Sequence, residues 1–219
     1  FTLETLRPFV ESWYDRQAAV NSILLGCSVG VAGTVLGFIF AFAVTRLSLP
    51  KWLCAAVSAV TLLPLISPPF TSSIALTLSL GPNGILLDFF GLGNFNFYGF
   101  WGTFISETLT FFPVAFMTLS TILARIDPNL EDAAYSLGAS SFKVFRTVTL
   151  PLAAPGIANA FLLVFSCSLA DFATPQVLGG HSFPVLPTQA YLVITGMYDF
   201  KGGAALSFML LIPAIIVYS

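Results

Sequence analysis

Apolar side chains run almost unbroken through residues 20–44, 52–80, 102–123, 155–177 and from 203 to the last residue, with polar and turn-forming residues gathered between them. A helix needs about 20 mostly apolar residues to cross roughly 30 Å of hydrocarbon. Four of these runs therefore read as complete spans and the fifth as a partial one, which predicts an all-α, polytopic transmembrane helical bundle. In the first run Gly26, Gly30, Gly33 and Gly37 recur at helical spacing, which suits either a smooth stripe for close helix packing or small-residue filler. The second run contains Pro64, Pro68 and Pro69; each removes a backbone donor, so this span is expected to bend or break.

Composition agrees with lipid as the main solvent. Of 219 residues, 57% are hydrophobic and 8% charged, where a soluble domain carries roughly a quarter; the mean hydropathy is +0.92. A formal net charge of -2 with 8 basic residues excludes a nucleic-acid-binding surface. The basic residues Arg46 and Lys51, then Arg125, Lys143 and Arg146, place two connections on the cytoplasmic side. Residues 81–101 lack Lys and Arg and are rich in aromatics, so they are expected outside, as are residues 179–202 and the segment 1–19. The chain opens without Met and stops within an apolar run, which reads as a piece of a longer protein. Its expected organisation is an external or interfacial segment 1–19 followed by a membrane domain 20–219, truncated at the C-terminal end.

The connection at 125–155, RIDPNLEDAAYSLGASSFKVFRTVTLPLAAP, is long, amphipathic and basic-sided. Asp127 is placed to cap a helix starting at Pro128, with Leu130, Ala133, Ala134 and Leu137 at helical spacing and Gly138 as a stop. A second short helix from about Ser141 is expected to carry Phe142, Phe145 and Val148 on one face until Leu150-Pro151 ends it. An interfacial amphipathic hairpin and a docking surface for a partner both fit this pattern.

These residues resemble the inner-membrane permease subunits of binding-protein-dependent ABC importers, whose loop reads EAA, three residues, Gly, nine residues, then I-x-L-P. Here the positions are Asp132-Ala133-Ala134, Gly138 and Val148-Thr149-Leu150-Pro151, with Asp132 in place of Glu and Val148 in place of Ile. The resemblance implies a MetI-like permease fold in which 125–155 is a coupling-helix loop that enters a groove on a cytoplasmic ATPase. Glu131, Asp132, Ala133, Ala134, Gly138, Val148, Leu150 and Pro151 would form the coupling set, with the working carboxylate either Glu131 or Asp132. It also implies a bacterial inner-membrane location and three partners: an ABC ATPase dimer, a periplasmic substrate-binding protein, and a second permease unit, either a homodimer mate or a fused half. No G-x-x-x-x-G-K-[ST] loop occurs, so no cofactor is expected in this chain and ATP is expected to be used by the separate ATPase subunit.

The stretches FSCSLADFATPQVLGG and LLPLISPPF look most like iron(III) permeases, with polyamine and phosphonate-type permeases as relatives. Asp171 and Glu107 stand within predicted spans, roughly 24 Å above the basic end and roughly 8 Å below the opposite one by helical rise. Carboxylates at that depth need a watery cavity or a partner. They are candidates for a cation path together with Gln176, the alternative being that each accepts a hydrogen bond from a neighbouring helix or caps a break before Pro175. The lone His181 is no metal site; with residues 183–187 and Tyr198-Asp199 it is a candidate contact for the binding protein. Cys27, Cys54 and Cys167 lack the spacing of zinc or disulfide frameworks. No catalytic residue is expected, since His181 is expected outside the bilayer and no paired-aspartate motif appears for an intramembrane enzyme; a passive channel would not need the long cytoplasmic loop.

Overall fold

The computed structural model describes residues 12–81, 84, 89, 97–180 and 182–218. His181, residues 1–11 and most of the segment 81–101 lie outside the described residues. Among the described residues every regular element is helical.

Helix α1, Trp13–Arg46, opens on Ser12, whose hydroxyl accepts from the Asp15 amide at 3.3 Å. Its 34 residues extend about 51 Å, so residues 13–19 continue the first span as helix. After a short turn, α2, Lys51–Ile66, and α3, Pro69–Leu80, form the proline-interrupted run. The two pieces meet at 101°, because Pro68 and Pro69 cannot continue the hydrogen-bond ladder and force the preceding residue to extend. Helix α4, Phe100–Arg125, is the next full span.

The connection that follows holds α5, Pro128–Ser136, and a single helical turn α6, Ser141–Val144. A π-helical turn, Phe145–Thr149, then leads directly into α7, Leu150–Ala170. Leu150-Pro151 was expected to end the short helix; instead the helix runs continuously from Ser141 to Ala170. The π turn makes this possible: the Leu150 amide bonds to the Phe145 carbonyl, five residues back, widening the helix just before the proline ring. It also changes which face is buried. Val144 and Thr149, five apart, are the inward residues, at 1% and 2% exposure, whereas Phe142 is 72% exposed.

The fourth span ends at Ala170 and not near residue 177. Asp171 breaks it, and a separate short helix α8, Ala173–Leu178, follows. Residues 179–202 were expected to be an external loop. Nearly half of that stretch is helix α9, Leu186–Gly196, packed against helix α10, Phe200–Tyr218, and against α1. Val185 and Leu186 are buried, so residues 183–187 anchor the bundle and offer little to a partner, while Tyr198 at the α9–α10 turn is exposed.

The core lies where α1, α4 and α7 meet, around Leu25, Val29, Ala41, Ala115, Phe116, Leu119, Ala160 and Val164. Here the glycine stripe is a contact surface. A Cβ on Gly37 would stand 2.6 Å from the Ala115 Cβ and 2.7 Å from the Phe116 amide nitrogen, so α1 and α4 touch backbone to backbone. Gly30 faces only the movable ring of Phe161. Gly37→Val is therefore expected to cost about 1–3 kcal/mol and to lower the thermal-unfolding midpoint in detergent, with Gly30→Ala costing less; equal losses at both positions would contradict the close α1–α4 approach.

Candidate functional site

Two groups of polar residues interrupt the apolar bundle, one at each end. At the basic end, Asp127 caps α5 by accepting from the Asn129 amide at 3.0 Å, as its position before Pro128 suggests. The same helix closes on Gly138, whose φ is 80°. There the Gly138 amide bonds to the Tyr135 carbonyl at 2.9 Å and the Ala139 amide to the Ala134 carbonyl at 3.1 Å, the paired bonds of a Schellman ending. No residue of α5 is buried. Leu130, Tyr135 and Leu137 are exposed, Leu137 at 89%, as are Asp132, Ala133 and Gly138.

The two adjacent acids part company. The Glu131 carboxylate turns inward: its Oε1 accepts from the Thr149 hydroxyl at 2.7 Å and lies 3.5 Å from Nε of Arg46. The Asp132 side chain stays exposed and makes no hydrogen bond or ion pair among the described residues. Asp132 is thus the carboxylate presented outward, and Glu131 the one that ties the loop to the bundle. Of the remaining loop residues, Val148 is half-buried and Leu150 and Pro151 are exposed at the foot of α7. Arg46 and Thr149 were not singled out from the sequence for this site; Arg46 served there only to orient the chain. Its partner is 85 positions away, and no local pattern connects them.

Toward the opposite end, α4, α7 and α8 bring the two deep carboxylates together. Glu107 is fully buried, and the Ser168 hydroxyl donates to its Oε2. Asp171 follows the end of α7 and its Oδ1 accepts from the amides of Ala173 and Thr174 at 2.9 and 3.4 Å, so it caps the start of α8 across the break. The charge of Asp171 is close enough to interact electrostatically with Glu107. Three oxygens here are buried without a hydrogen-bond partner: Glu107 Oε1, Asp171 Oδ2 and Thr174 Oγ1. Nearby, the hydroxyls of Ser73 on α3 and Ser106 on α4 are 3.3 Å apart. Unsatisfied polar atoms in an apolar interior cost about 1–3 kcal/mol each, so the cluster is expensive unless water or a ligand reaches it. Ser168 joins this group through its spacing from Asp171, three residues and nearly one turn, which is the sequence signal that would have found it.

Gln176 does not join the carboxylates. It is exposed and lines a cavity of about 200 Å³ with Tyr14, Gly180, Thr188 and Gln189, to which neither Glu107 nor Asp171 contributes. Among the described residues no group of three or more His, Cys, Asp or Glu side chains could hold a metal ion.

The chain is thus a multi-span bundle with an exposed, glycine-closed helix at its basic end. Residues 33–219 match the family described as the binding-protein-dependent transport system inner membrane component, and the chain belongs to that family as a multi-pass membrane protein. It is 37% identical over 98% of its length to the putative ferric transport system permease protein FbpB 1 of Haemophilus influenzae, and 39% identical over 90% of its length to the ferric transport system permease protein FbpB of Actinobacillus pleuropneumoniae. The alignments cover 34% and 29% of those proteins, so the chain spans about a third of the length of the curated relatives it matches. Its fold is that of a chain in an inward-facing structure of the MetNI methionine ABC transporter, with a TM-score of 0.77 at 18% identity, covering 94% of this chain and 92% of that one.

Proposed function

We propose that this chain is a permease portion of an ATP-driven importer, with ferric iron as its cargo. The observation that carries the transport reading is α5: a surface helix with no buried residue, presenting Leu130, Leu137 and Asp132 beyond the basic end of the spans. Such a face gains nothing for the chain alone and suits a groove on a partner protein. In this reading the basic end is cytoplasmic, an ABC ATPase dimer docks there and uses the ATP, and a soluble binding protein delivers cargo at the other end. A second permease unit, from another chain or from the rest of a longer one, completes the pathway.

The cargo reading rests on the two ferric relatives and on chemistry. Glu107, Asp171 and Thr174 offer hard oxygen atoms at depth, which suit a hard cation. A polyamine would use the same carboxylates and is the second reading; a phosphonate would be repelled by them. Gln176 and the exposed α9–α10 turn at Tyr198 face the delivering protein. The test is reconstitution of the full-length permease in vesicles with its ATPase and binding protein, comparing ATP-dependent uptake of ferric ion and of spermidine. Ferric uptake without spermidine uptake supports the assignment, and the reverse replaces it. Failure of the ATPase to co-purify with the permease removes the importer reading altogether.

A further inference from the structure

In the importer reading helix α5 passes force to the spans, yet none of its residues is fully buried against them. Its attachment is polar and converges on one carboxylate. Glu131 on α5 receives the hydroxyl of the buried Thr149, from the π turn at the foot of α7, and faces Arg46, the last residue of α1. The same guanidinium reaches a third span: Nη2 of Arg46 donates to the carbonyls of Leu123 and Ile126, at 3.0 and 3.2 Å, where α4 ends. The Leu123 carbonyl also accepts from the Ile126 amide at 3.2 Å, so the guanidinium adds a second donor at this helix end, and a cation there complements the negative end of the helix dipole. Arg46 and Glu131 are 11% and 16% exposed, so water weakens their attraction less than it would at an open surface.

We propose that Arg46 is the positioning residue of energy coupling: with Glu131 and Thr149 it latches the docking helix to the ends of α1, α4 and α7 together, so that movement of α5 shifts three spans as one. The proposal rests on the importer reading above and adds a task for residues that touch neither ATPase nor cargo. Arg46 suits it better than Lys, because a planar fork serves two carbonyls and a carboxylate at once whereas an ammonium is a single point. Without the latch, α5 still presents Asp132 and Leu137 and still docks, but its displacement is lost in the connections on either side.

The test uses the full-length permease with its ATPase and binding protein in vesicles. Arg46→Gln is expected to keep ATPase co-purification while lowering cargo moved per ATP hydrolysed by roughly tenfold, within the range usual for coupling between sites. Glu131→Gln is expected to behave alike, and the double variant to be no worse than either single one, the signature of residues acting as a unit. Arg46→Lys should recover part of the loss. A readout independent of transport comes from nitroxide labels at Ser48 and Ser136, both exposed, with Cys27, Cys54 and Cys167 changed to Ser: the distance distribution should broaden in Arg46→Gln and in the milder Thr149→Val. Wild-type coupling in Arg46→Gln, losses that multiply in the double variant, or an unchanged label distance would overturn the latch. A wild-type permease that fails to bind the ATPase would overturn the importer reading first, and this proposal with it.

Discussion

Gly138→Asp is expected to abolish recovery of the ATPase with the permease, by more than a hundredfold in a detergent pull-down, while the spans remain folded. Gly138 has φ 80° and lies in open space, with no atom within 4 Å of where a Cβ would stand. A side chain there meets nothing inside the molecule, so the bundle has no reason to collapse. It does strain the turn by about 1 kcal/mol, and it sets a charged group beside Leu137 on the face argued to dock. Burying that unpaired charge against a partner costs several kcal/mol. Gly138→Ala carries the strain without the charge and should weaken docking by about tenfold or less. Equal binding by all three proteins would remove α5 from the interface, and loss of a monodisperse permease peak would show the glycine to be structural.

The second large effect is expected at Asp171. Asp171→Asn keeps an oxygen where Oδ1 accepts from Ala173 and Thr174, so the cap on α8 persists while the charge beside Glu107 disappears. Cation uptake is expected to fall more than tenfold, with ATPase binding unchanged. The substitution separates the two readings of this residue cleanly. A carboxylate that only caps the break is replaced by Asn at little cost, and uptake would then match wild type. Asp171→Ala removes both properties and should add a loss of thermal stability of about 1 kcal/mol.

What could be read along the chain was what is encoded locally. The Asp127 cap and the Gly138 ending depend on neighbours within a turn or two, and both stand where their spacing placed them. Glu107 and Asp171 were matched in depth by counting helical rise, and Ser168 bridges toward Glu107 at that depth. Three features escaped for physical reasons. Residues 171–177 are apolar enough to look like continued span, so the end of the span reads as near 177, although a carboxylate capping a break before Pro175 is one of the two readings and is the one Asp171 adopts. The π turn shifts the helical phase within five residues, so a 3.6-residue period put Phe142 on the wrong face. Helix α9 begins between Pro184 and Pro187, which punctuate like a loop, and its burial comes from contacts with Ala18 and Leu206, far away in the chain. The Arg46–Glu131 pair is the same case: long-range partners leave no periodic trace.

The unbroken helix from Ser141 to Ala170 has a mechanical meaning. Its base sits in the docking loop beside Thr149, and its tip carries Ser168 and stops at Asp171. Above Pro155 it is regular α-helix, so that part would turn as one piece about the crowded contact with α1 near Gly26, Gly30 and Gly33. The tip lies roughly 10 Å beyond that contact, so a tilt of a few degrees at the base displaces it by about 1 Å. In the importer reading, a shift of that size would loosen the Ser168–Glu107 hydrogen bond and free an oxygen for a cation without any residue at the tip having to sense ATP.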